Sequence, residues 1–347
     1  MIGTVIALGM IKGQKAAAFI KNGRLEDLIV DPADDNTPAA IGAIYRAKGG
    51  RMLKGMGGAM LDLPDGNSAY LKGNKGLKPG APMLVQVTHM SEDGKAVPVT
   101  TRLIFKSKYA IITPDAPGLN ISRTIRDEEE LLRLHDLANA GMDDADETLG
   151  LILRSACADA KSDEIADDIA NMRGLAEAVT ADVSGAPELL VDGPDAWDAA
   201  WRDWDTPDVF DDSEQAFDNH GVYEMIDDVL SPRVSLKTGG HAYIEPTRAL
   251  VAVDVNTGGE FSTAAGFKAN LSVARDLPRQ LRLRGLAGQI TIDLAPMPKK
   301  EHRVFEQSLR AAFKADGSEV VLAGFTPLGH FEIQKKRERV PLKDILK

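Results

Sequence analysis

A single cysteine, Cys157, occurs in the 347 residues. No internal disulfide and no multi-cysteine zinc site can therefore form within one chain, and the thiol is expected as a small core residue. No apolar run approaches the length that crosses a bilayer. The N-terminus lacks the charged, apolar and cleavable order of a signal peptide. These absences lead to the expectation of a soluble cytoplasmic protein. Internal repeats and low-complexity tracts are missing too. Aromatic residues are sparse at 5%, but hydrophobic residues make up 44% of the chain. That is enough to bury a sizeable core, divided by length into roughly two to four structural units.

An excess of basic residues is also missing, since the formal net charge is −11. That balance opposes a nucleic-acid partner, because phosphate binding draws its affinity from lysine and arginine. The distribution qualifies the balance. Residues 1–110 carry 15 basic against 9 acidic side chains, residues 111–250 carry 10 against 32, and residues 251–347 carry 16 against 11. Two basic ends flank an acidic middle, a pattern that fits either solvated surface or a nucleic-acid footprint.

The N-terminal thirty residues alternate short apolar runs around KNGR at 21–24, where Asn22-Gly23 predicts a β-hairpin. An acidic, proline-bounded stretch from Pro32 to Pro38 reads as a linker. From Ala39 to Lys106, AIGAIYR, GGAMLDL, SAYLK, PMLVQVTH and AVPVTTRLIF are short β-like runs separated by turn residues. Their spacing suits a small all-β barrel or sandwich. Tyr70 sits there among Lys54, Lys72, Lys75, Lys78 and Lys95. An aromatic beside lysines can stack a base while the cations hold the backbone, or it can cap the small core. Between Ser122 and Glu177 the periodicity is helical, interrupted by the β-like LGLILRSA at 149–156. Residues 192–218 hold ten acidic side chains and only Arg202 as a basic one. Trp197, Trp201 and Trp204 predict a short amphipathic helix that docks by its aromatics.

The C-terminal part holds two strand-like runs, VAVDVN at 251–256 and QITIDL at 289–294, each carrying an aspartate at its apolar tip. A charge at a strand tip needs a hydrogen-bond partner or a cation. Asp254 and Asp293 are thus either structural acceptors or joint holders of a metal ion. Between them, Gly266 to Arg284 predicts a helix with Gly285 as its stop. A strand, a right-handed crossover helix and a second parallel strand would bring both aspartates to one sheet edge. The Asn256 amide, two residues on and on the same face, completes an oxygen-rich group suited to magnesium. Gly258 and Gly259 would admit a ligand close to the backbone. On the helix, Lys268, Arg275, Arg279 and Arg282 share one face, as a phosphate-facing or simply solvated stripe.

The segments VAVDVNTGG, ANLSVARDLPRQLRLRGLAGQITIDLAPM and FTPLGHFEIQKKR together resemble the catalytic region of the ribonuclease E/G family. NGRLEDLIV is similar to that family's opening segment, and IGAIYRAKGGRMLKGMGGAMLDLPDGNSAYLK to its RNA-binding OB-fold insert. NISRTI and LILRSA are similar to its 5′-end sensor, and LKTGGHAYIEPTRALVAVDVN to the approach to its catalytic core. The likeness covers nearly the whole chain and is weakest at 192–222, where this sequence is shorter.

The resemblance implies an α/β fold of several subdomains. These are an RNase H-like subdomain (1–34 with 190–228), an inserted all-β OB-fold barrel (35–108), a 5′-sensor (109–189) and a DNase I-like catalytic subdomain (229–347). It further implies that Asp254 and Asp293 ligate Mg2+ while Asn256 positions a ligand. The metal would polarise the scissile phosphate and help generate the nucleophile, for hydrolysis of single-stranded A/U-rich RNA. Arg154 and Ser155 match the pair that binds a 5′-monophosphate. Tyr70, with Lys95 beside it, takes the place of an RNA-contacting aromatic, and Arg279 and Arg282 are carried as further RNA contacts.

Departures from the family pattern are equally legible. The zinc-link cysteines are missing, so a homodimer, where one forms, is expected to lack that link. Ala295 stands where the family has a second aspartate in this strand, and the loop after Asn256, TGGEFSTAA, is short. Met60 replaces an RNA-contacting phenylalanine. The leading reading is a magnesium-dependent endoribonuclease; the alternatives are an RNA-binding relative with little cleavage and an unrelated magnesium phosphatase.

Overall fold

The computed structural model describes residues 3–32, 39–73, 77–91, 94–158, 160–260 and 262–346. The expected linker, apart from Pro32, lies outside the described residues, as do Lys75, Phe261 and the side chain of Lys54. The chain forms two units, Met1–Asn36 with Pro207–Lys347, and Thr37–Thr206.

The first unit opens with an antiparallel meander, β1 (Thr4–Ile11), β2 (Gln14–Lys21) and β3 (Arg24–Val30). Asn22 and Gly23 both have left-handed φ, 51° and 74°, as the twist of a two-residue hairpin demands.

The second unit carries the barrel. β4 (Ile44–Leu53), β5 (Gly58–Asp62), β6 (Ser68–Lys72), β7 (Pro82–Val87) and β8 (Val97–Thr100) pair in the order β4-β5-β6-β8-β7, and β7 returns to β4. Closure leaves no free edge within the ring. Ala69 and Leu71 point inward and Tyr70 outward, the two-residue alternation of a strand. Next come β9 (Phe105–Lys106), β10 (Ala110–Thr113), β11 (Gly118–Ile121) and β12 (Gly150–Leu153), a sheet ordered β11-β12-β10-β9. The helices α1 (Glu128–Met142) and α2 (Ser162–Ala181) bury Leu134, Ile165 and Ile169 in one core with this sheet's Ile112, Leu151 and Leu153. Asp127 caps α1 by accepting from the Glu130 amide at 2.9 Å. β13 (Glu188–Val191) adds to β4, and α3 (Ala196–Asp203) follows. The residues of α3 that bury are Ala196 and Ala200, while Trp201 is 56% exposed. The helix buries its alanines, and Trp201 lies over Lys108, whose Nζ is 3.5 Å from the ring centroid.

The first unit then resumes. β14 (Val209–Asp211) runs parallel to β1, with α4 (Ala216–Asn219) and α5 (Val222–Leu230) after it. A mixed sheet follows, built from β15 (Arg233–Ser235), β16 (His241–Pro246), β17 (Val251–Asn256), β18 (Gly288–Asp293), β19 (Val320–Phe325) and β20 (Phe331–Lys335), in the order β15-β16-β17-β18-β20-β19. Only β17 and β18 are neighbours in parallel, joined by the crossover helix α6 (Thr263–Arg284). Together with α7 (His302–Asp316), which contributes Phe305, α6 covers one face over Val253, Ile290, Ile292 and Phe331. Each such buried side chain contributes roughly 1.5–3 kcal/mol. Asp254, Asp293 and Glu332 stand exposed on the opposite face. A short helix, α8 (Leu342–Ile345), ends the described chain. Among the described residues no helix is long and apolar enough to cross a membrane.

Candidate active site

Valine and isoleucine alternate with polar residues along β17 and β18, so the apolar set faces α6 and the polar set faces outward. In the parallel register Asp254 lies directly opposite Asp293. Neighbouring strands are about 4.8 Å apart, so both carboxylates project from the same face side by side. The amide of Asn256 donates to Oδ2 of Asp254 at 2.7 Å and fixes that carboxylate's rotation. Nε2 of His330 stands 3.7 Å from Oδ1 of Asp293. Among the described residues, no lysine or arginine bridges to either aspartate.

The support behind this edge is rigid. Asn270 is fully buried on α6, donating to the Ala295 carbonyl at 2.8 Å and accepting from the Ala295 amide at 3.0 Å. This two-point clasp anchors the chain just beyond Asp293. Gly266 allows the same approach, since a Cβ there would lie 2.2 Å from the Pro296 carbonyl oxygen. Ser262 caps α6 by accepting from the Ala265 amide at 3.1 Å. The sequence signal for Asn270, an asparagine between apolar helix positions, was there to be read, as was the histidine of LGHFEI; neither was singled out.

Among the described residues, two adjacent carboxylates with an orienting amide, a histidine at 3.7 Å and no lysine or arginine partner form an open anionic group. Magnesium usually keeps several waters and takes one or two carboxylates, leaving room for substrate phosphate oxygens. The donor set fits that pattern of an incomplete cage. Among the described residues, no group of three histidine, cysteine, aspartate or glutamate side chains forms a closed metal site.

The basic stripe of α6 divides in two. Lys268 and Arg275 are exposed. Arg279, in contrast, is bonded to Asp276 at 2.9 Å and to the Leu25 carbonyl. Arg282 meets Asp27 and Asp316, both at 2.9 Å, and the Glu26 carbonyl at 2.7 Å. Arg279 and Arg282, expected as RNA contacts, are both engaged within the chain, where their guanidinium groups clamp α6 to β3. Asp276 also receives Arg24 and Gln280. Burial alone would raise its pKa, but the arginine and glutamine contacts prevail and hold it at about 2.

In the second unit, Tyr70 stands half-buried on the barrel exterior between Met60 and Pro98, its hydroxyl donating to the Met56 carbonyl at 2.7 Å. Its ring covers Gly58, where a Cβ would come within 2.7 Å of it. Strand parity places the ring outside the barrel core formed by Ala69 and Leu71. Lys95 is exposed just before β8, and Lys72 and Lys78 are exposed as well.

Arg154 directly follows β12, and Ser155 beside it is exposed. Nη1 of Arg154 donates to the carbonyls of Ser107 at 2.5 Å, Lys108 at 3.1 Å and Arg202 at 2.6 Å. Its Nη2 donates to Oδ1 of Asp203 at 3.3 Å. The expected phosphate-binding guanidinium is therefore already engaged within the chain.

Comparison with known proteins agrees with this architecture. The family model described as the ribonuclease E/G family matches residues 105–211 and 205–338. Ribonuclease G of Salmonella typhimurium and ribonuclease G of Escherichia coli K12 are each 24% identical over 402 residues, covering 98% of this chain and 81% of the relative. Ribonuclease E of Synechocystis is 27% identical over 389 residues, covering 94% of this chain and 56% of the relative. With its family match extending over more than half the sequence, and with the paired aspartates at the tips of adjacent parallel strands, the chain belongs to the ribonuclease E/G family.

Proposed function

We propose that the chain is an endoribonuclease that hydrolyses single-stranded, A/U-rich RNA in RNA processing or turnover, with Mg2+ as its cofactor. The observation that carries this reading is the register-matched pair Asp254 and Asp293, exposed and without a lysine or arginine partner among the described residues. In this reading the sheet bearing them, 229–347, is the DNase I-like catalytic subdomain. Residues 1–34 with 190–228 form the RNase H-like one, 35–108 the OB-fold and 109–189 the 5′-sensor.

Asp254 and Asp293 would hold the cation, and Asn256 keeps the Asp254 carboxylate turned toward it. When bound, a divalent cation neutralises phosphoryl oxygens and makes water a better nucleophile at neutral pH. The protein's own contribution is a preset carboxylate geometry, which removes the need to reorganise during reaction. Asn270 serves it from behind by fixing the backbone at Ala295. On the barrel, Tyr70 offers a ring for base stacking, with Lys95 as a neighbouring backbone contact. Arg154 and Ser155 are the proposed seat of a 5′-phosphate.

A second reading, an RNA-binding relative with little cleavage, is favoured by Ala295 and by the short loop after Asn256. One experiment separates the two. A short 5′-monophosphorylated A/U-rich RNA is incubated with and without Mg2+, with wild type, Asp254→Asn and Asp293→Asn. Magnesium-dependent cutting lost in both variants supports the nuclease. RNA that is bound but never cut by wild type selects the binding relative, and absence of RNA affinity at low salt overturns both.

A further inference from the structure

The surroundings of Arg154 hold an anion of the chain's own. Oδ1 of Asp203 accepts from Nζ of Lys106 at 2.6 Å and from Arg154 at 3.3 Å. Oδ2 of the same carboxylate accepts from Arg202 through Nη2 at 2.7 Å and Nε at 3.2 Å. Three cations from β9, the residue after β12 and α3 thus converge on one monoanion. A fourth, Lys108, lies 3.5 Å from the ring centroid of Trp201, two residues before Asp203. Nη1 of Arg154 also donates to the Arg202 carbonyl of α3. The end of α3 is therefore seated on the cationic group by charge, by a backbone hydrogen bond and by a cation–π contact.

The balance of charge in this group is uneven. One carboxylate neutralises one of three converging cations, so the seat retains an affinity for anions that Asp203 only partly satisfies. Burial would raise the Asp203 pKa, but the Arg202 and Lys106 contacts prevail and hold it below the usual carboxylate range. The group is therefore ionised at neutral pH. A phosphomonoester, with nearly two charges and three acceptor oxygens, is chemically the stronger ligand for the same donors.

We propose that Asp203 is a specificity-determining residue: its carboxylate occupies the anion seat made by Lys106 and Arg154 and competes with a terminal 5′-phosphate for it. The inference rests on the reading of the chain as an RNA-binding member of its family. In the wild type the preference for a 5′-monophosphate is weak, because a terminal phosphate must first displace Asp203. With that charge removed, the same cations are left for the RNA end.

The test is binding of one A/U-rich oligoribonucleotide carrying either a 5′-monophosphate or a 5′-hydroxyl, measured without Mg2+ so that no cutting intervenes. Wild type, Asp203→Asn, Asp203→Ser and Asp203→Asn with Lys106→Met are compared, with thermal melting as the check on folding. Wild type is expected to discriminate less than about threefold and both single variants about tenfold, the scale of a gained charge-assisted contact. The double variant is expected to lose the gain. Discrimination unchanged in both folded single variants overturns the role of Asp203, as does strong discrimination by wild type. Failure of every protein to bind either RNA overturns instead the RNA-binding reading beneath it.

Discussion

Asp254 and Asp293 share a structural unit with Asp27, Asp276 and Asp316, and the two sets are treated in opposite ways. Asp276 is closed in by Arg24, Arg279 and Gln280. Asp27 lies between Arg282 and Arg339, and Asp316 faces Arg282. Every one of these carboxylates has a guanidinium in contact, and together they fasten α6 to β3 and α7. Among the described residues, Asp293, 67% exposed, has only a histidine at 3.7 Å, and Asp254 only an asparagine amide. The same side chain thus serves as mortar where its charge is matched and, in the proposed reading, as a binding group where the charge is left over. An unmatched pair in one register is a standing preference for a cation.

The sharpest way to break this distinction is to neutralise the unmatched pair. Asp254→Asn and Asp293→Asn are each expected to lower RNA cleavage by about a thousandfold, while urea unfolding stays within about 0.5 kcal/mol of wild type. A large stability loss in these variants would make the pair structural after all. Arg282→Met should do the reverse. Leaving Asp27 and Asp316 without their shared guanidinium is expected to cost about 3 kcal/mol in urea unfolding.

Acid sharpens the same contrast. The Asp276 carboxyl sits at about 2 when folded, below its unfolded value of about 3.9. Its contribution is therefore fully present above pH 4 and is lost as pH falls from about 4 toward 2. Roughly 2 kcal/mol should disappear over that window, and the loss should be smaller in Asp276→Asn when unfolding is followed as a function of pH. The smallest effect is reserved for Asn256→Ala. It removes an orienting hydrogen bond rather than a cation-holding group, and is expected to slow cleavage about tenfold without changing the fold.

Much of this was legible in the sequence because it depends on local pattern. Asn22-Gly23 announced its turn, and Gly285 ended α6 in the left-handed conformation. The apolar runs before Asp254 and Asp293 fixed which strands would lie side by side. What escaped depends on partners distant along the chain. Nothing near Arg279 or Arg282 points to Leu25, Asp27 or Asp316, so an internal clamp looked like an open basic stripe. Arg154 likewise meets Asp203 only through the fold. The tryptophans of α3 were legible as docking groups, but the partner that Trp201 meets, Lys108, lies far back along the chain. Asn270 escaped because a polar residue on a buried helix face acquires meaning only once Ala295 is seen opposite.

The pairing of β1 with β14 has a consequence in time. The Thr4 amide reaches Asp208 at 2.7 Å across 204 positions of sequence, and Val5 stands beside Val209. A ribosome delivers every residue of the barrel unit before Val209 emerges. The first meander must therefore wait, with one edge unpaired, while the inserted unit has the opportunity to fold around its own local contacts. Synthesis orders the two units in reverse of their first appearance, so the meander that precedes the barrel is completed only after it.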